Sequence, residues 1–174
     1  GALRHAPPEL AGAVARAPLV LSPMAWRLRA RLHGDPAAKV LGFFGPRTFQ
    51  AVDISPCRVV TPRLLAALPR LQAALERQRA PVGEVDWLED LDGQVAVAGW
   101  RGAGATPRPP VETLAGWHPL SPEGVLRRGG WGKREVVMRL PIPLRVPLGA
   151  FFQGNRHLVP RLFARVSEVV RSLR

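Results

Sequence analysis

Seven residues, Trp26-Arg27-Leu28-Arg29-Ala30-Arg31-Leu32, alternate without a break between apolar and cationic side chains. Successive side chains of a β-strand point to opposite faces, so this period of two fits a strand buried on one side and wet on the other. Trp26, Leu28, Ala30 and Leu32 would face a core. Arg27, Arg29 and Arg31 would face solvent or a ligand, about 6.5–7 Å apart. A chain containing such an element must supply a sheet and something to cover it.

The neighbouring sequence supplies both. Gly34-Asp35-Pro36 reads as a turn, Lys39–Phe44 as a returning strand, and Gly45-Pro46 as a second turn into Thr48–Ile54. These make a three-stranded antiparallel meander. Thr61 is a good N-cap with Pro62 at the first helical position, and Leu64, Leu68, Leu71 and Leu75 mark one helical face. Pro69 falls inside that helix, where a kink or break is expected. Val82–Leu88 and Gln94–Trp100 read as a second hairpin around Asp92-Gly93, its acids turned to solvent or away from any nucleic acid.

Further along, Gly102–Pro110 reads as a loop, Val111–Trp117 as a short helix and Glu135–Leu140 as a strand. Pro141, Pro143 and Pro147 confine the next run to a sheet edge or an extended crossing. A short helical candidate, Glu9–Ala17, precedes the meander. A final helix carries Leu158, Leu162, Val166, Val169 and Leu173 on one face, widened by Val159, Phe163 and Val170. The expected fold class is α+β, a mainly antiparallel sheet with packed helices on one side. The expected division is an N-terminal extension (1–18), a central domain (19–148) and a linker with its helix (149–174).

The 174 residues suit one domain, large enough to fold without disulfides. The single cysteine excludes an internal disulfide and fits a reducing, cytoplasmic setting. No apolar run is long enough for a transmembrane helix, so no membrane partner is expected. The start at Gly1 reads as a fragment or a processed form. Net charge is +12, and only Lys39 and Lys133 are lysines. Arginine suits bidentate phosphate contacts and stacking on bases, although Arg, Ala and Pro are also what GC-rich coding favours. Five of the 13 acids lie within Glu84–Asp92, which leaves eight against 25 bases elsewhere. A polyanion is the expected partner.

Two loops stand out. Arg127-Arg128-Gly129-Gly130-Trp131-Gly132-Lys133-Arg134 combines cations, glycines and one ring, either a plain exposed loop or a segment in which Trp131 stacks a base and Arg128 meets phosphate. Gly149-Ala150-Phe151-Phe152-Gln153-Gly154-Asn155 joins a Pro-rich run to the last helix, and Asn155 reads locally as a helix N-cap. His5, His33, His118 and His157 lack metal-ligand spacing and read as surface or satisfied core residues. The chain carries no strand–GxGxxG–helix signature.

The second loop, with Ser22-Pro23…Trp26-Arg27-Leu28-Arg29…Arg31, Leu41-Gly42-Phe43-Phe44…Arg47 and Val52-Asp53-Ile54…Cys57, resembles the RNA (uracil-5-)-methyltransferase family, and the pieces come in the same order. The resemblance spans roughly residues 20–170, with unspecific stretches between motifs. It implies the central portion of an S-adenosylmethionine-dependent enzyme that methylates carbon 5 of uridine in rRNA or tRNA. Gln153 falls at the family glutamine that contacts S-adenosylmethionine. Phe151 and Phe152 would line the wall near a flipped base. Trp26, Arg27, Arg29, Arg31, Arg47 and Asn155 would serve RNA.

Trp26 stands where Tyr is usual, Leu28 where Asn is usual, and Gly154 where a larger apolar residue is common. In the family a cysteine at the position of Cys57 can ligate a 4Fe–4S cluster with three others upstream. One thiolate cannot hold such a cluster, so none is expected, and no metal site with it. The family places its nucleophile, base and cofactor sheet beyond the Phe-Phe-Gln-x-Asn segment, so this chain alone is expected to be inactive. Two other readings stay open: a non-catalytic RNA-binding or assembly module, and a basic structural protein without a nucleic-acid role. Which RNA is bound, and the oligomeric state, are not legible.

Overall fold

A computed structural model describes residues 20–35, 39–79, 83–102, 106–107, 109 and 112–173. The Glu9–Ala17 helix, the turn at Pro36 and most of the Gly102–Pro110 loop lie outside the described residues. The fold is α+β. A seven-stranded sheet has the order β3-β2-β1-β4-β5-β6-β7, built from β1 (Arg29–Asp35), β2 (Val40–Phe44), β3 (Ala51–Val52), β4 (Gly83–Glu89), β5 (Ala96–Gly102), β6 (Gly116–Pro119) and β7 (Trp131–Gly132). Every neighbouring pair is antiparallel except β5 and β6. The meander and the second hairpin both form, with the first strand beginning at Arg29 rather than Trp26. β8 (Glu135–Met138) and β9 (Leu144–Pro147) make a separate two-stranded sheet.

The two faces of the large sheet carry two cores. On one face Ala30, Leu32, Trp87, Ala98, Trp100 and Trp117 pack against Leu64, Leu68 and Leu71 of α1 (Pro62–Arg77). On the other, Leu88, Val97 and Leu120 meet Val136, Met138, Val146 and Leu148 of the β8–β9 hairpin and its flank. Trp87, Trp100 and Trp117 are almost fully buried, and truncating any one to Ala would cost about 3–5 kcal/mol.

α1 starts where the cap signal placed it. Thr61 is the N-cap, with its side chain accepting a hydrogen bond from Leu64 N. Pro69 does not break the helix. Pro69 itself is exposed, so the Leu65 carbonyl left without a donor lies toward the outer side, where water can meet it.

Three further differences from the sequence reading have physical causes. Leu28 does not share a core with Ala30 and Leu32; it packs with the second cluster. Upstream of Arg29 the chain leaves the regular ladder, and Arg27 bridges Val60 and Asn155 instead. Val111–Trp117 is not a helix: Gly116 starts β6, which lies parallel to β5 with Val97 opposite Gly116. A side chain at 116 would strike the Lys133 carbonyl at 2.0 Å, so only glycine admits that pairing.

The acids of 84–92 do not simply face solvent either. Asp86, Glu89 and Asp90 are buried. Asp86 pairs with Arg31 and Arg101, and Asp90 Oδ1 accepts from Gln94 N and Val95 N to shape the β4–β5 turn.

α2 (Val159–Ser172) differs from α1. Val159 is its buried residue and Phe163 is partly buried against the second core. Leu162, Val166, Val169 and Val170, with Leu173 just beyond, are exposed.

Candidate nucleic-acid interface

The candidate site forms where three distant segments run side by side. Residues 25–28 lie between 58–60 and 154–156. Ala25 N donates to Arg58 O and Arg27 N to Val59 O, both at 2.8 Å. On the other side Leu28 N donates to Gly154 O at 2.7 Å, and Arg156 N donates to Trp26 O at 3.0 Å. The turn after β9 is thereby seated against the entry to β1. Backbone hydrogen bonds define this contact, which leaves the side chains of Trp26 and Arg27 to shape what lies above it.

Above it is a cleft of about 490 Å³, lined by Trp26, Arg27, Arg29, Ala30, Arg31, Phe43, Phe152 and Gly154. The Arg27 guanidinium lies 5.2 Å from the ring centroids of both Trp26 and Phe43, a double cation–π arrangement that fixes the cation in place. Among the described residues Arg29 has no ion-pair partner. Arg31 differs: its Nε lies 3.0 Å from Asp86 Oδ1 and 3.5 Å from Glu84 Oε2, so its charge is already shared. The cleft therefore offers two cations, Arg27 and Arg29, and three rings, Trp26, Phe43 and Phe152. Planar cations and exposed rings are the groups that stack bases and meet phosphates.

Asn155 organises the turn. Its Oδ1 accepts from His157 N at 3.0 Å and Leu158 N at 3.1 Å. Its Nδ2 donates to Ser22 Oγ at 3.0 Å. It thus caps the turn just before α2, one turn ahead of the N-cap position, which is Leu158.

Arg156, the next residue, reaches the buried Glu89, with Nη2 3.2 Å from Oε2. Glu89 also accepts from Trp87 Nε1 at 2.7 Å and from Thr61 Oγ1. Burial raises its carboxyl above the ordinary glutamate value, against these donors and Arg156.

The remaining sequence candidates lie elsewhere. Phe151 and Gln153 are exposed and do not line the cleft. Arg47 sits on the β2–β3 turn at a φ of 58°. Arg128 and Trp131 lie by β7, at the opposite end of the sheet from β1–β3 and four strand spacings from β1, roughly 19 Å. The cleft and the 127–134 loop are two places, not one. Phe43, Glu89 and Arg156 complete the site; Glu89 and Arg156 were not singled out from sequence, and Phe43 stood in the Leu41–Phe44 motif without a role. Phe43 carried the signal available, a second aromatic one residue from Phe44.

A larger groove of about 570 Å³ lies between the β4–β5 turn and the β8–β9 hairpin. Its cations Arg139 and Arg145 are paired with Asp92 and Glu135; Lys133 and Arg134 line it without an ion-pair partner among the described residues, but no aromatic ring does, unlike the cleft.

For S-adenosylmethionine, the sequence candidate in this chain is Gln153, a single exposed amide. A single exposed amide does not make a cofactor site. Cys57 packs partly buried against the first core, and among the described residues no three His, Cys, Asp or Glu side chains gather as a metal would require.

No family model matches this chain, and no curated protein matches it in sequence. Among solved structures, the crystal structure of Pyrococcus abyssi tRNA (uracil-54, C5)-methyltransferase in complex with S-adenosyl-L-homocysteine is similar, with a TM-score of 0.69. The match covers 86% of this chain and 42% of that one at 19% identity. The shared property at that identity is the fold, and this chain spans less than half of that structure's length. No helix among the described residues is long and apolar enough to cross a membrane.

Proposed function

We propose that this chain is the RNA-binding central portion of an RNA (uracil-5-)-methyltransferase-like protein, which in complete form methylates carbon 5 of uridine in rRNA or tRNA with S-adenosylmethionine. The observation that carries the proposal is the junction of Trp26–Leu28 with Gly154–Arg156. Two of the motifs that carry the resemblance are joined at one cleft, Leu28 with Gly154, Arg27 with Asn155 and Trp26 with Arg156. The fold shared with a tRNA methyltransferase structure supports the same reading. In it, Arg27 and Arg29 hold phosphates, Trp26 and Phe152 meet bases, and Asn155 fixes the turn that leads toward a catalytic domain. Gln153 serves that domain's cofactor, and methyl transfer belongs to the longer protein.

Photocrosslinking tests the placement. A 4-thiouridine-containing RNA irradiated with the chain and mapped by mass spectrometry is expected to label Trp26, Phe43 or Phe152. Labels confined to α2 or to the β8–β9 hairpin would overturn it.

A further inference from the structure

A second aromatic surface lies on the same sheet beyond the cleft. His33 follows Arg29 and Arg31 on one face of β1, two residues per step. Its ring stacks on Phe44 with centroids 3.5 Å apart and planes 15° apart. The position opposite His33 is Gly42, whose Cβ would strike the Val52 carbonyl at 1.8 Å. The glycine leaves the His33 ring no opposing side chain, so it can lie against Phe44.

Phe44 in turn meets Phe49 edge-on, with centroids 5.8 Å apart at 85°. Phe49 is 91% exposed and Phe44 41%. Single exposed apolar residues need no explanation, but three rings in contact, ending in a bare one, do.

The turn that presents Phe49 is held in shape. Gly45 N donates to Gln50 O at 2.9 Å, and Thr48 N donates to Gly45 O at 3.2 Å. Arg47, two positions before Phe49, is exposed within the same turn. Two acids beside the platform are already answered: Glu84 faces Arg31, His33 and Arg101, and Asp86 faces Arg31 and Arg101. Among the described residues of this edge, Asp53 is held by hydrogen bonds from Ser55, and Arg47 is an exposed cation without an ion-pair partner. A negatively charged ligand with a flat apolar face fits that combination, and a nucleotide has both.

We propose that the His33–Phe44–Phe49 platform is a second RNA contact, on which an unpaired base stacks against Phe49 while Arg47 meets the adjoining phosphate. This rests on the RNA-binding reading of the cleft and extends its footprint along β1 to the β2–β3 turn. Stacking demands an unpaired base and an aromatic ring, so both requirements can be tested separately.

The experiment is fluorescence anisotropy of the whole chain with a labelled oligouridine of about ten nucleotides and with an RNA duplex. Phe49→Ala is expected to weaken oligouridine binding about tenfold, to leave duplex binding unchanged, and to keep the same slope of log affinity against log salt. Phe49→Trp is expected to restore affinity, whereas Phe49→Leu is not. Because Phe49 is exposed, none of these variants is expected to change the thermal transition.

If the unaltered chain binds oligouridine and Phe49→Ala binds equally well, the platform is not an RNA contact; the cleft reading survives. Equal losses on oligouridine and duplex, or no rescue by Trp, would overturn stacking. If the unaltered chain binds no RNA, the cleft reading fails and this inference fails with it.

Discussion

Arg156 donates from Nη2 to Glu89 Oε2 at 3.2 Å, tying the residue after the Gly149–Asn155 turn to the last residue of β4. Glu89 is fully buried and the Arg156 side chain is 17% exposed. Removing one partner strands the other's charge away from water. Arg156→Met should therefore cost about 3 kcal/mol in urea unfolding at neutral pH. Adding Glu89→Gln to that variant should recover part of the loss, because the glutamine still accepts from Trp87 and carries no charge. Strictly additive effects would mean the two side chains do not interact.

The same glutamate sets a pH dependence. Burial raises its folded-state carboxyl above the ordinary 4.5, so the folded chain binds that proton more tightly than the unfolded chain. The resulting stabilisation is fully present below about pH 4.5 and is lost as pH rises through the folded-state value. The stability of the unaltered chain, measured relative to Glu89→Gln, should fall across that interval. A difference that rises with pH would contradict the assignment.

Glycines around the turn should behave in opposite ways. Gly149 has a φ of 88°, and a Cβ there would lie 2.0 Å from the Gly124 carbonyl. Gly149→Ala should cost more than about 2 kcal/mol. A Cβ at Gly154 would meet nothing within 4 Å, so Gly154→Ala should stay within about 0.5 kcal/mol. Thermal melts by circular dichroism compare them directly, and the reverse order would mean the turn is seated differently.

Substitutions on the bare stripe of α2 should be nearly silent in this chain. Val166→Ser and Val170→Ser are expected to change stability by less than about 0.5 kcal/mol, since both residues are about half exposed. Losses above about 2 kcal/mol would mean the stripe is covered in solution.

Much of this architecture was legible in local sequence. The alternation at 26–32, the Thr61-Pro62 start of α1 and the Asp92-Gly93 turn each carry their signal within a few residues, and each element formed. What was not legible depends on distant partners. Leu28 alternates with Ala30 and Leu32, yet its pairing with Gly154 and Glu89 takes it to the other core. The acidic run looked like a solvated face, but Asp86 and Glu89 find cations from β1, β5 and the turn before α2. Gly116 sits in a strand because the Lys133 backbone closes over it. The candidate residues were recognisable by type. That Trp26, Arg27, Arg29 and Phe152 share one cleft, while Arg128 and Trp131 lie at the far end of the sheet, required the topology.

In the proposed function Arg27 and Arg29 bind RNA phosphates at this cleft. The most direct measurement is the affinity of the chain for single-stranded RNA as a function of salt, with and without Arg27→Ala and Arg29→Ala together. Each phosphate contact on a single strand contributes a slope of about 0.7 in log affinity against log salt. Affinity should fall steeply with salt, with a slope shallower by about 1.4 in the double variant. Salt-insensitive binding, or an unchanged slope when both arginines are gone, would contradict it.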